Sequence, residues 1–355
     1  MALPPGLNDL AKLTLLASDT SYFNGTHPAP AALGSLPDDT TYGQRTALYS
    51  VPAGFTKAIE FNDTTTTGVG FIIYQNDQTN EVIVALRGTD GPNPQDWVAN
   101  SQHLGWNQWS SPDGRGRVFA FLNGLRDANG DPYSGKIHFT GQSLGGGLAQ
   151  YAAYEYVRDQ KALAAQNGTT FDASRITLTT FNGFGGALVL EQNAGGYQSS
   201  VLANIGSNAH FYTEGDLVSR LGSLNGVGHT GGTAYFLNAH ASDIDPDTGE
   251  PFLLNAIDAH RIETGFYPFL LPGVEFEAAV AQPIEYLPMQ DVQRIAALFG
   301  RVLNDQNVSP LESAPRLAAR KNMGSRLVII HCEDPPCAAE PRARLRGCAT
   351  HVLNG

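Results

Sequence analysis

Cysteine is scarce. The chain holds 3 in 355 residues, Cys332, Cys337 and Cys348, all near its end. The body of the protein therefore depends on packing and not on disulfides, and no Cys-x-x-Cys ligand set of a zinc site is present. Basic residues are also in short supply. Lys and Arg total 22 against 34 Asp and Glu, a formal net charge of -12 that repels phosphate backbones. General nucleic-acid binding is excluded, and a neutral or apolar partner is expected. No apolar run reaches the length of a membrane-spanning helix, so no transmembrane segment is expected. A basic leader is missing too: Leu10, Leu13, Leu16 and Ala17 fall at helical spacing and read as an amphipathic helix, not a signal-peptide core. Secretion is the expected destination although no Sec signal is visible, and a cytoplasmic one stays open, because a cysteine-free body suits both.

What is present is a chain with 42% hydrophobic and 16% charged residues, long enough for one large α/β domain. After the first helix, residues 27–52 are rich in Pro, Gly, Asp and Thr and read as surface loop. Val69–Tyr74 and Val82–Leu86 are β-rich runs separated by turn formers, which predicts a hairpin. Residues 116–127 carry helical spacing. Strand-like Lys136–Thr140 leads into a helix that runs to about Leu163, and further strands are expected at Arg175–Phe181, Ala209–Thr213 and Thr233–Leu237. This alternation implies a mainly parallel sheet covered on both faces. Val292, Ile295, Ala296, Phe299, Val302 and Leu303 mark a last helix. The expected domain is 1–310. Residues 311–355, Arg- and Pro-rich with one apolar run at Leu327–Ile330, read as a tail, disordered or foreign to the domain.

The strongest signal lies at Phe139-Thr140-Gly141-Gln142-Ser143-Leu144-Gly145-Gly146-Gly147-Leu148-Ala149. A β-run leads in, Gly-x-Ser-x-Gly makes the turn, and a small-residue helix leads out, which is the setting of a nucleophile elbow. A serine at a helix N-terminus sits beside unpaired backbone N–H groups, which favour a developing oxyanion. The bland alternative, a glycine-rich turn with a chance serine, explains the glycines but not the matched strand and helix.

This segment resembles the nucleophile motif of the class 3 lipases, the group containing the filamentous-fungal triacylglycerol lipases. Those usually carry His before the serine, where this chain has Gln142. Val82-Ile83-Val84-Ala85-Leu86-Arg87-Gly88-Thr89, followed by Asp96-Trp97, is similar to the family's oxyanion-hole strand and the start of its lid. The resemblance spans about Val69 to Tyr267. It implies an α/β-hydrolase fold with a lid-like loop, Ser143 as nucleophile, and an oxyanion hole from Thr89 and Leu144. No cofactor and no metal are expected.

In α/β-hydrolases the acid and base follow the serine in chain order. Asp216, beyond the strand Ala209–Thr213 and before Leu217-Val218-Ser219-Arg220, is similar to the family's acid, with Glu214 and Asp243 as competitors. His260, in Asp258-Ala259-His260-Arg261-Ile262, best resembles the family's late histidine. His240 is the runner-up and His229 reads as structural.

Two segments are candidates for lipid contact: residues 91–111 with Trp97, Trp106 and Trp109, and residues 265–274 with Phe266, Phe269 and Leu270. Simple burial is the competing explanation for both. Asp243–Glu250 is acidic, but Thr248 and Leu254 stand where a calcium-binding EF-hand loop needs Gly and Glu, so a solvated turn is expected. The leading expectation is a carboxylic-ester hydrolase acting on acylglycerols. A phospholipase A1, a feruloyl-type esterase and a lipid-binding module without catalysis are the alternatives.

Overall fold

The computed structural model describes residues 3–22, 51–63, 66–88, 105–127, 129–183, 185–213, 216, 229–237, 260, 262–270, 276, 278–283, 328–331 and 349–352. The helix expected at 292–303, the acidic turn Asp243–Glu250, residues 89–104 and all three cysteines lie outside the described residues. Two units are distinguished, Met1–Asn304 and Asp305–Gly355.

In the first unit one 8-stranded sheet follows chain order. It comprises β1 (Thr56–Asn62), β2 (Gly70–Asn76), β3 (Glu81–Leu86), β4 (Lys136–Gln142), β5 (Ile176–Phe181), β6 (Ser207–Thr213), β7 (Thr233–Leu237) and β8 (Ala278–Pro283). The strands from β3 to β7 are parallel to one another, while β1, β2 and β8 are antiparallel to their neighbours. The hairpin of β2 and β3 forms where turn formers separate two β-branched runs, with Asn76 Oδ1 accepting from the N–H groups of Gln78 (3.0 Å) and Thr79 (3.1 Å).

Two edge strands escape the sequence reading. In β1 the residues are mostly exposed, and only Ile59 and Phe61 turn inward to pack on the core, so its apolar signal is faint. The other, β8, reads Ala-Ala-Val-Ala-Gln-Pro, with one β-branched residue among alanines and a terminal proline, so its β signal is weak.

Consecutive parallel strands that stay neighbours need a crossover each time, and right-handed crossovers put every connecting segment on one face. That face carries α2 (Trp106–Trp109), α3 (Arg117–Gly124), α4 (Leu144–Gln166) and α5 (Ala187–Asn193). Their Trp109, Val118, Leu122, Leu148, Tyr151 and Leu190 share one buried cluster with Phe71, Val84, Ile137, Phe139 and Leu178 of the sheet. Strand alternation sends the intervening residues the other way. Ile72, Tyr74, Ile83 and Ala85 meet Ala17 of the N-terminal helix α1 (Leu7–Thr20). Leu7, Ala11 and Leu15 of that helix join Phe181, Phe211 and Tyr235 with Ile262, Phe266, Phe269, Leu270 and Phe276. Among the described residues, the second face is thus covered by α1 and by residues 262–276 of the connection between β7 and β8. Gln142, two residues after Thr140 on β4, lies on this α1 face, where Thr140 donates to the Thr14 carbonyl (3.3 Å).

In the second unit β9 (Val328–His331) pairs antiparallel with β10 (Ala349–Val352), so most of the apolar run of the tail is used in a two-stranded sheet.

Candidate active site

Ser143 sits between the end of β4 and the first residue of α4, at φ 59 and ψ -129. A non-glycine residue in that region costs roughly 1–3 kcal/mol, so the surroundings must hold it. They do so with backbone bonds: Ser143 N–H donates to the Phe181 carbonyl and Gly146 N–H to the Ser143 carbonyl, both at 3.0 Å. The flanking glycines are needed for contact and not for torsion. A Cβ on Gly141 would stand 2.2 Å from the Gly145 carbonyl oxygen, and one on Gly145 would stand 2.2 Å from the Leu86 carbonyl oxygen. The turn is pressed against the end of β3.

Ser143 Oγ lies 2.8 Å from His260 Nε2, and His260 Nδ1 lies 3.0 Å from Asp216 Oδ1. All three residues are buried, Asp216 completely. A carboxylate only accepts, so Nδ1 donates to Asp216 and Nε2 accepts from the serine hydroxyl. Asp216 follows β6 by three residues and is hydrogen-bonded to it, N–H to the Thr213 carbonyl at 3.3 Å. The strand between the serine's and the aspartate's, β5, is followed directly by Asn182, which the motifs of the sequence do not single out. At φ 46, Asn182 turns its side chain to accept from Thr213 N–H (3.0 Å) and to donate to Thr213 Oγ1 (2.9 Å) and the His260 carbonyl (3.4 Å). Its only sequence signal was Asn before Gly at a strand end.

The remaining expected residues are placed as follows. Leu144 is the first residue of α4, so its N–H has no helical acceptor and stands beside the serine. Thr89 and Trp97 lie outside the described residues, as do the competitors Glu214, Asp243 and His240. Trp106 is half-buried with its ring edge-on to Tyr151 at 5.6 Å, and Trp109 is fully buried with its indole N–H donating to Glu155 (2.8 Å). Phe266, Phe269 and Leu270 are buried in the core cluster over Phe181 and Phe211. Their apolar surface packs against the second face of the sheet, as simple burial would have it.

His210 and His229 form a buried ring pair with centroids 4.6 Å apart. His210 Nε2 faces the Gly231 carbonyl at 3.0 Å, which makes Nε2–H the donor, and Thr180 Oγ1 donates to Nδ1 at 2.7 Å. Tyr212 hydrogen-bonds to His229 Nε2. Burial pulls the His210 imidazole down from 6.5 to about 4, against the upward pull of the Gly231 carbonyl. Burial, and then His210, also lower His229. Between about 4 and 6.5 the unfolded chain binds a proton at His210 that the folded chain refuses, so stability rises with pH across that window and is lost as pH falls through it. His210 alone is expected to remove about 3 kcal/mol between pH 7 and pH 4. Urea unfolding at both pH values, with the His210 ring followed by NMR, checks this. A His210 ring that protonates near pH 6.5 in the folded protein would refute it.

The mostly parallel sheet flanked by helices and the strained strand-to-helix serine turn fit an α/β-hydrolase fold. No protein-family model and no curated protein matches the chain. Among solved structures it is similar to the mono- and diacylglycerol lipase of Aspergillus oryzae, with 19% identity over 76% of this chain and 94% of that one and a TM-score of 0.45. It is also similar to the Rhizomucor miehei triacylglyceride lipase, with 15% identity, 66% and 82% coverage and a TM-score of 0.43. The MDLA protein of Penicillium cyclopium aligns at 18% identity over 73% of this chain and 96% of its own, TM-score 0.45. Among the described residues no helix is long and apolar enough to cross a membrane, and no group of His, Cys, Asp and Glu is placed to hold a metal ion.

Proposed function

We propose that this chain is a serine carboxylic-ester hydrolase that cleaves acylglycerols or similar neutral esters through an acyl-enzyme intermediate. The observation that carries the reading is the hydrogen-bonded row from Ser143 Oγ through the His260 ring to Asp216 Oδ1, built on a strained strand-to-helix turn. In the first step His260 Nε2 takes the Ser143 proton as Oγ attacks the ester carbonyl, and the oxyanion that forms is met by the Leu144 N–H and a donor from Thr89. His260 then gives its proton to the leaving alcohol oxygen, and the C–O bond breaks. Water repeats the sequence on the acyl-enzyme: His260 takes its proton, hydroxide adds to the carbonyl, and Ser143 leaves reprotonated. Asp216 holds the imidazole in the tautomer that leaves Nε2 free and stabilises its charged form.

Support for acylglycerols comes from the motif around Ser143 and from the net charge of -12, which disfavours anionic substrates. The test is a hydrolysis panel of short- and long-chain p-nitrophenyl esters, triolein, phosphatidylcholine and methyl ferulate, with fluorophosphonate labelling mapped by peptide mass. Labelling at Ser143 with turnover of triolein and long-chain esters is expected. Turnover confined to short chains, phosphatidylcholine or methyl ferulate replaces the substrate class but keeps the chemistry. No labelling and no turnover of any ester refutes the reading.

A further inference from the structure

The residue before the serine is where this chain departs from the motif it resembles, and its side chain is buried with both ends bonded. Gln142 Nε2 lies 2.6 Å from the backbone carbonyl of His260, and Gln142 Oε1 lies 2.6 Å from the hydroxyl of Tyr22, just past the end of α1. That hydroxyl also lies 3.2 Å from the Gln142 carbonyl and accepts from Gly88 N–H at 3.1 Å. The proton order in this chain has one solution. The His260 carbonyl can only accept, so the amide NH₂ must face it and the amide oxygen must face Tyr22. Tyr22 must then spend its single hydrogen on Gln142, which leaves its lone pairs for Gly88 N–H.

An independent contact marks the same spot. A Cβ on Gly88 would stand 2.2 Å from the Tyr22 hydroxyl, so the strand end is stripped of a side chain where the tyrosine reaches it. Gly88 directly precedes Thr89.

We infer that Tyr22 and Gln142 are positioning residues: the chain Gly88 N–H, Tyr22 Oη, Gln142 amide, His260 carbonyl sets the base against the serine and ties both to the strand that leads to Thr89. The inference rests on the roles given above to Ser143 and His260. The physical need is plain in the topology. His260 belongs to no strand, whereas Ser143 is locked to the sheet through its N–H bond to the Phe181 carbonyl. Two side-chain amides, Gln142 at the end of β4 and Asn182 after β5, carry that registration, the first at 2.6 Å and the second at 3.4 Å. A shift of about 1 Å in such a base costs on the order of 10²-fold in rate.

The test compares Gln142→Met, Gln142→Glu and Tyr22→Phe with wild type, reading kcat, KM, the rate of fluorophosphonate labelling and thermal stability. Gln142→Met is expected to lower kcat and the labelling rate by about 10–100-fold with little change in KM. Gln142→Glu is the sharper variant. A neutral carboxyl can donate to the His260 carbonyl as the amide does, whereas an ionised one presents only acceptors to it. The titratable groups around it are Tyr22, which donates to it, and the Asp216–His260 pair beyond the carbonyl. The ratio of this variant's rate to wild type is therefore expected to fall about tenfold or more between pH 5 and pH 8. A purely structural role would give a pH-independent ratio. Tyr22→Phe combined with Gln142→Met is expected to cost no more than the costlier single change, because both break one chain. Rates within twofold of wild type, a flat ratio for Gln142→Glu, or full additivity of the pair overturns the inference. Should Gln142→Met fail to fold, the pH-dependent ratio decides alone. A wild type that neither labels nor turns over marks failure of the catalytic reading instead.

Discussion

Ser143→Ala is expected to lower kcat on every ester the protein cleaves by about 10⁶-fold while leaving the fold intact. The size follows from what is removed. With Oγ gone there is no atom to form the acyl-enzyme, and water must attack from a position the site does not hold for it. A residue of roughly 10³-fold over the uncatalysed rate persists, since the Leu144 N–H and binding remain. Stability is expected to change little. Alanine keeps the Cβ that the φ 59 backbone already accommodates, and the lost bond to His260 Nε2 leaves a histidine that still donates to Asp216. The check is turnover of purified protein alongside a urea melt. Retention of more than about a hundredth of wild-type activity in folded protein would sink the nucleophile assignment.

Asp216→Asn should follow at about 10⁴-fold in kcat with the backbone unmoved. The substitution is isosteric, and its effect is on which nitrogen holds the proton. Asp216 is fully buried and accepts from Nδ1, so His260 presents a bare Nε2 to the serine. An amide in its place can instead donate to Nδ1, which moves the imidazole proton to Nε2 and turns the base into a donor. It also withdraws the negative charge that stabilises the imidazolium. The double variant Ser143→Ala, Asp216→Asn should be no slower than Ser143→Ala alone, because the acid acts only through a serine that is no longer there. A fall below tenfold for Asp216→Asn would hand the acid's role to another carboxylate.

The placement of the candidate residues shows how much was legible beforehand. Strands β2 to β7 and helices α1 and α4 announce themselves because each is a local pattern: β-branched runs bounded by turn formers, or apolar residues at helical spacing. The serine turn is equally local, since the glycines demanded by the contact with Leu86 stand within two residues of Ser143. Asp216 and His260 were named from chain order and resemblance, with Glu214, Asp243 and His240 left as rivals. Nothing local separates one loop aspartate or histidine from another, whereas the structure brings His260 to Ser143 and Asp216 to His260.

Burial is where local composition is ambiguous. Phe266, Phe269 and Leu270 look the same in sequence whether they wall a substrate or cover a sheet. The choice depends on whether crossovers leave that face bare, which only the strand order reveals. The His210–His229 pair is of the same kind: 19 positions apart in sequence, the two rings meet because β6 and the residues before β7 lie side by side.

By itself, then, the sequence determined the periodic elements, the parallel character of the sheet and the strained turn that presents Ser143, because each is written in residues that touch along the chain. Only the tertiary structure brings His260 to that serine and Asp216 to the histidine, carries Tyr22 across 120 positions to Gln142, and packs an apolar segment against the sheet. Those contacts are between segments whose separation in sequence carries no trace of their distance in space, and hydrogen bonds and burial act on distance alone.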